Sequence, residues 1–153
     1  MKKIILLFVI ALCGIMAFGQ RKYSPQASRE KILNDEYCTG LFHTFQAQYF
    51  DMSSTENANA APGYFNIIDW LKGRVAGLQV YSTISNVSIP YLRNQRASIY
   101  VNEMRVSYDY LSMLPVSDIA LVKVMKGPFS SVLGSTGGTI AIYTFKGDEE
   151  EED

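Results

Sequence analysis

Two periodicities divide this chain into helical and strand-like stretches. Tyr64, Ile67, Ile68 and Leu71 recur at i, i+3, i+4 and i+7, which is one apolar helical face. Asn66 or Pro62-Gly63 can start that helix, and Gly73 or Gly77 can stop it through a left-handed cap. Period-two segments follow: Leu78 to Ser82, then Ser98 to Val101, then Ile119 to Met125. In the last of these Ala120, Val122 and Val124 line one face, while Ile119, Leu121, Lys123 and Met125 line the other. Gly127-Pro128 breaks the strand, a one-turn helix fits Phe129 to Leu133, and Gly134 ends it. A tight GSTGG loop then leads into a final strand, Thr139 to Phe145. There Ile140, Ile142 and Thr144 face one way, and Ala141, Tyr143 and Phe145 the other.

The order helix, strand, strand, strand, short helix, strand predicts an α+β fold, a small sheet packed by helices. Residues 83–96 are turn-rich and polar, with Pro90, Arg93 and Arg96, and read as a loop. Upstream the signals are weaker. Residues 20–36 are polar and read as a leader or a marginal first helix. From Tyr37 to Met52 aromatics are dense, and Phe42, Phe45 and Tyr49 fit helical spacing, although a strand pair fits as well. Ser53 to Gly63 is small and polar, a loop by composition.

The N-terminus reads as an address. Lys2 and Lys3 precede an uncharged apolar run, Ile4 to Phe18, that is shorter than the roughly 20 residues a spanning helix needs. With the small residues Ala17 near its end and Gly19 just after it, residues 1–19 are expected to be a secretory signal cleaved before Gln20. Charge is unevenly placed. The chain has 14 basic and 15 acidic residues, but six of the acids are the closing run Asp148 to Asp153. Nine acids thus face the fourteen bases in residues 1–147, a basic body cancelled by an acidic tail. The tail is expected to be a solvated, disordered end. The domain expectation is therefore a signal at 1–19, a polar leader at 20–36, one domain at 37–147 and the tail at 148–153. Cleavage leaves Cys38 as the sole cysteine, expected to be a small buried residue, so a core and not a disulfide must hold the domain.

Catalytic constellations are hard to assemble. One histidine, His43, excludes a two-histidine zinc site, and a Cys38–His43 nucleophilic pair has nothing else to support it. Ser135 lacks the glycine spacing of a nucleophile elbow. Gly134 is followed by Ser135 and Thr136, not by the Lys-Ser/Thr of a phosphate-binding loop. The glycines at 127, 134, 137 and 138 are read as serving positive φ and close chain approach. The expectation is no enzyme, no catalytic or metal site and no cofactor. The scattered positive charge, with Arg93 and Arg96 read as solvated, gives no nucleic-acid stripe.

Three collinear segments carry a resemblance. IIDWLKGRVAGLQV (Ile67 to Val80), SIYVNEMRV (Ser98 to Val106) and LPVSDIALVKVMKGPFSSVLGSTGGTIAIYTFKG (Leu114 to Gly147) are similar, in order and spacing, to elements of SusC-like TonB-dependent receptors. The family implied is the TonB-dependent receptor plug domain, a small α+β unit with a short mixed sheet that fills an outer-membrane β-barrel. Departures accompany the likeness. Asn102-Glu103 stands where the family has an Asp-Gly turn, which predicts a different turn here. Ala120-Leu121-Val122-Lys123 replaces a strand that is acidic at both ends, and Thr136 replaces a base in the glycine loop. After Gly147 come only the six acids.

The leading expectation is thus a stand-alone, non-enzymatic plug-like binding or interaction module of the bacterial cell envelope. It would be exported to the periplasm or outer membrane, with an outer-membrane or periplasmic protein as partner and no ligand identified. The alternative expectation is the plug part of a TonB-dependent outer-membrane transporter whose barrel is separate or lost.

Overall fold

The computed structural model describes residues 25–45, 47–127 and 129–147. The signal at 1–19, the start of the leader, Pro128 and the acidic tail lie outside the described residues. The first described element is a helix, α1 (Pro25–Tyr37), followed by strand β1 (Gln48–Asp51), helix α2 (Thr55–Ala60) and a 3₁₀ turn at Ala61–Gly63. Helix α3 (Ile67–Leu71) leads to strands β2 (Leu78–Ser82), β3 (Ser88–Leu92), β4 (Gln95–Arg96), β5 (Ser98–Val101) and β6 (Met104–Val106). After helix α4 (Tyr108–Leu111) and a 3₁₀ turn at Val116–Asp118 come β7 (Ile119–Met125), α5 (Phe129–Val132) and β8 (Thr139–Thr144).

Two sheets result, and the class is α+β as the sequence order implied. A five-stranded mixed sheet runs β1-β7-β8-β5-β6, and a three-stranded antiparallel sheet runs β2-β3-β4. In the larger sheet only β5 and β8 are parallel. All seven residues of β7 are buried, so both faces of this strand are covered. One face carries Ile119, Val122, Val124, Ile140 and Ile142 against Ile67, Ile68, Trp70 and Leu71 of α3 and Leu78 and Leu92 of the smaller sheet. The other face carries Leu121, Met125, Ala141 and Tyr143 against Leu33, Cys38 and Phe42. The expected alternation sorts Leu121, Val122, Val124, Met125 and Ile140 to Tyr143 between the two layers. Ile119, expected beside Leu121, lies instead with Val122 and Val124, because a register shift between Ile119 and Leu121 breaks the period at the start of β7. Each fully buried large aliphatic or aromatic side chain contributes about 1.5–3 kcal/mol to holding the layers together.

Several local expectations are corrected. Phe42, Phe45 and Tyr49 share no helix: Phe42 is buried and Phe45 exposed, and among the described residues of 38–52 only Gln48–Asp51 is regular, as a strand. Ser53 to Gly63 is a helix and a 3₁₀ turn, not a loop. Its alanines favour helix and Ser54 supplies an extended N-cap, but it buries only Ala61 and so shows no apolar period. Helix α3 starts later than the Tyr64 pattern suggests, because the Asn66 side chain accepts from the Ile68 N–H at 2.8 Å. Gly73 and Gly77 follow it, both at positive φ.

Residues 83–96 contain two strands. Pro90 sits in the middle strand of the smaller sheet, and its carbonyl accepts from Ala97 N–H, beyond the end of the two-residue strand β4. A missing N–H on that side costs little, which explains how proline survives there. The hairpins β3–β4 and β5–β6 both turn through two residues with positive φ, Arg93-Asn94 and Asn102-Glu103. The glycine-free sequence at 102–103 therefore adopts the left-handed conformations of a type I′ turn after all. The path from β7 to β8 is an antiparallel return, so no parallel crossover has to fit over α5.

Candidate functional site

Three places concentrate polar groups: a buried lysine, a clamped turn and a surface groove. Lys123 lies in the centre of β7 and is fully buried. Its ammonium donates to Asn34 Oδ1, to the Phe42 carbonyl at 2.7 Å and to the Thr44 carbonyl at 2.8 Å. Burial pushes the Lys123 pKa down, and the neighbouring Cys38 and Glu30 oppose that shift. Burial likewise pushes up the Cys38 thiol and the Glu30 carboxyl. Glu30 Oε1 and Asn34 Nδ2 are buried without a hydrogen-bond partner. Each such group costs about 1–3 kcal/mol of desolvation.

Cys38 is thus a packed thiol beside Tyr143 and Lys123, while the His43 imidazole turns outward to Asp35 at 3.1 Å. The two residues do not form a nucleophile–base pair. Among the described residues no group of three or more His, Cys, Asp or Glu side chains can hold a metal ion. Arg93 is part of a hairpin turn, and Arg96 Nε meets the Tyr91 hydroxyl at 3.0 Å on the surface.

The turn at Asn102-Glu103 is held from both sides. Asn102 Nδ2 donates to Thr144 Oγ1 at 2.9 Å and its Oδ1 accepts from Thr144 N–H at 3.1 Å. Glu103 Oε1 accepts from Gly40 N–H at 2.8 Å, and the Tyr143 hydroxyl lies 3.4 Å away. These contacts offset the strain of glutamate in the left-handed region, of order 1–2 kcal/mol.

The glycine loop has a packing role. Gly138 has φ +138°, and a Cβ there would lie 2.7 Å from Leu92 Cδ1 and 2.9 Å from the Met125 carbonyl. At Gly137 a Cβ would meet the Gln95 carbonyl oxygen at 2.6 Å. These two glycines are where the smaller sheet crosses the larger one. Ser135 fixes the loop, donating from Oγ to the Gly138 carbonyl and accepting from Gly138 N–H at 3.2 Å. No phosphate cradle is needed to explain it.

A groove of about 330 Å³ opens between α3, the turn after β2 and α4. Asp69 and Asp109 supply carboxylates along it, no basic side chain lines it, and Phe65 and Met113 form rims that are 82% and 80% exposed. Its chemistry suits a molecule that donates hydrogen bonds and carries an apolar part. No linear pattern signals it, because its residues come from three separated segments. Lys123 did carry a signal: a lysine in step with Leu121 and Met125 on one strand face.

A sequence model of the TonB-dependent Receptor Plug Domain family matches residues 50–139. Among solved structures, the RagAB peptide importer in its open-open state is similar at TM-score 0.54 and 23% identity, over 66% of this chain and 12% of that one. The siderophore receptor PirA from Acinetobacter baumannii is similar at TM-score 0.53 and 15% identity, over 76% of this chain and 18% of that one. The chain therefore spans less than a fifth of the length of either receptor. At these identities the likeness establishes the fold alone. No curated protein matches the sequence.

Proposed function

Because the chain belongs to the TonB-dependent receptor plug domain family, as the match over residues 50–139 establishes, we propose that it serves as the plug of a TonB-dependent outer-membrane transporter in a Gram-negative envelope. The family match is the observation that carries this reading, and it favours the transporter plug over the free-standing interaction module of the sequence-based expectation. The partner is a β-barrel wall around the five-stranded sheet and its two covering layers. The role is to fill and gate a pore without covalent chemistry. In support, the buried ionisable group of β7 is tied to three oxygens of its own chain. Residues 1–19 act as the cleaved export signal, and 148–153 as a solvated acidic end.

The test is localisation with cross-linking of the full chain in a Gram-negative host. The expected result is a chain shortened by the signal, recovered with outer membranes and cross-linked to a β-barrel polypeptide. A soluble periplasmic monomer without such a cross-link would return the free-standing module reading. A cytoplasmic chain that keeps residues 1–19 would overturn both.

A further inference from the structure

Lys123 brings an amine against an amide inside the fold. Its Nζ donates to Asn34 Oδ1, which puts the lysine nitrogen beside the Cγ that carries that oxygen. The two residues are 0% and 1% exposed, so water neither solvates the amine nor competes for the carbonyl. Both are held rigidly. Lys123 lies within β7, paired with Tyr49 of β1 on one side and Ala141 of β8 on the other. Asn34 sits in the last turn of α1, where its backbone carbonyl accepts from Cys38 N–H at 2.9 Å. Holding two reacting groups in this way turns a bimolecular step into a unimolecular one. The Phe42 and Thr44 carbonyls take two of the ammonium hydrogens, at 2.7 and 2.8 Å. Loss of the third proton therefore leaves a lone pair directed at Asn34.

A carboxyl group stands ready for that proton. Glu30 precedes Asn34 by one turn and shares its helix face. Its Oε1 is buried without a hydrogen-bond partner. Burial raises the Glu30 pKa and lowers that of Lys123, and both shifts favour passing a proton from ammonium to carboxylate. Asn34 Nδ2 also has no partner, so no hydrogen bond retains the amide nitrogen. Trp70 Nε1 and Thr139 Oγ1 are orphaned elsewhere in the fold; what sets Asn34 apart is the amine bonded to its other terminal atom.

The geometry points to an intramolecular isopeptide bond between Lys123 Nζ and Asn34 Cγ, made by the folded chain itself with Glu30 carrying the protons. The ammonium first passes a proton to the Glu30 carboxylate. The freed Nζ pair attacks Cγ, and the carbonyl pair moves to Oδ1, which Glu30 protonates. The carbonyl re-forms as the Cγ–Nδ2 bond breaks, and Nδ2 departs with protons relayed from Nζ and Oδ1. Primary amide and lysine ammonium thus become secondary amide and ammonium ion, with no oxidant or cofactor. The bond is made once, in maturation, and ties α1 covalently to β7. It does not depend on the transporter reading, since it concerns the isolated chain.

The test is the intact mass and tryptic map of the full chain, purified folded and held at neutral pH. The expected result is a mass lower by one ammonia, with a branched peptide joining the stretch around Asn34 to the stretch around Lys123, uncut after Lys123. Asn34→Ala should lack both. Glu30→Gln, which keeps the size of the side chain, should fold with the Trp70 fluorescence of the native chain and form the bond about a hundredfold more slowly. A folded native chain at the mass its sequence requires, without the branched peptide, overturns the proposal. So does an ammonia loss that maps to Gln20 or to another asparagine. A bond that forms equally fast in Glu30→Gln overturns the proton-carrying role of Glu30.

Discussion

Gly138→Ala tests whether the glycine loop exists to let the two sheets touch. An alanine Cβ would sit 2.7 Å from Leu92 Cδ1 and 2.9 Å from the Met125 carbonyl oxygen. Leu92 is fully buried, so its side chain has no free space to retreat into, and the Met125 carbonyl belongs to the backbone of β7. Overpacking of this kind costs about 1–3 kcal/mol. The backbone at φ +138° adds conformational strain of order 1–3 kcal/mol for a residue with a Cβ. Together these predict a loss of about 2–6 kcal/mol, offset by about 0.4–1 kcal/mol from the stiffer unfolded chain. Gly137→Ala has no positive φ to contend with but strikes the Gln95 carbonyl, so it should lose about 1–3 kcal/mol. Gly127→Ala is the control, because its Cβ meets nothing within 4 Å. Urea unfolding followed by Trp70 fluorescence measures all three. If Gly138→Ala falls within about 0.5 kcal/mol of Gly127→Ala, the range of an unremarkable surface change, the close-approach argument fails.

Two further predictions concern charged groups. Arg29→Ala should cost about 0.5–1 kcal/mol at neutral pH, the scale of a partly exposed ion pair. Burial alone would raise the Asp51 carboxyl, but the bonds from Arg29 and Ser53 outweigh it and hold the pKa below the usual carboxylate value. The stabilisation is therefore present above the unfolded carboxylate pKa near ~3.9 and is lost as the pH falls through the lower folded value. Urea titrations at neutral pH and near pH 3 should show the gap between native chain and variant shrinking in acid; a gap that widens would refute the assignment. At the other end of the sheet, Glu103→Ala keeps the left-handed strain and loses the bond to Gly40, so it should cost about 1–2 kcal/mol. Glu103→Gly loses the same bond but relieves the strain, and should be the more stable of the two variants in a thermal melt. The opposite ranking would show that Glu103 is not strained.

Legibility differed by element for physical reasons. Strands β7 and β8 were readable because each lies between two covered layers, and alternation is the direct imprint of that burial. Helix α3 was readable from Ile67, Ile68 and Leu71, while Tyr64 fitted the same period but stays partly exposed ahead of the cap. Strands β3 and β4 were hidden by Pro90 and by the polar turn Arg93-Asn94, whose conformation comes from the hairpin and not from the residue types. Helix α2 was hidden because an almost wholly exposed helix has no apolar period. The polar leader turned into α1 for a related reason: its attachment to the sheet is polar, so hydropathy cannot register it. The family likeness of three short segments carried the fold further than periodicity did, since the order of elements alone stopped at α+β. Nothing in the linear order indicated the groove of Asp69 and Asp109, which only the meeting of α3, α4 and the β2–β3 turn creates.

The placing of β8 has a consequence for how the chain acquires its structure. This last strand lies in the middle of the larger sheet, between β7 and β5, and its parallel pairing with β5 joins residues about forty positions apart in sequence. Until Thr139–Thr144 has left the ribosome, β5–β6 and β1–β7 are separate two-stranded pieces, and such pieces are marginal in water. Long-range closure of this kind is intrinsically slow. A nascent chain with this topology therefore leaves its core open until β8 has emerged, and completes it in a single closing step. That delay makes it dependent on protection from aggregation while it waits.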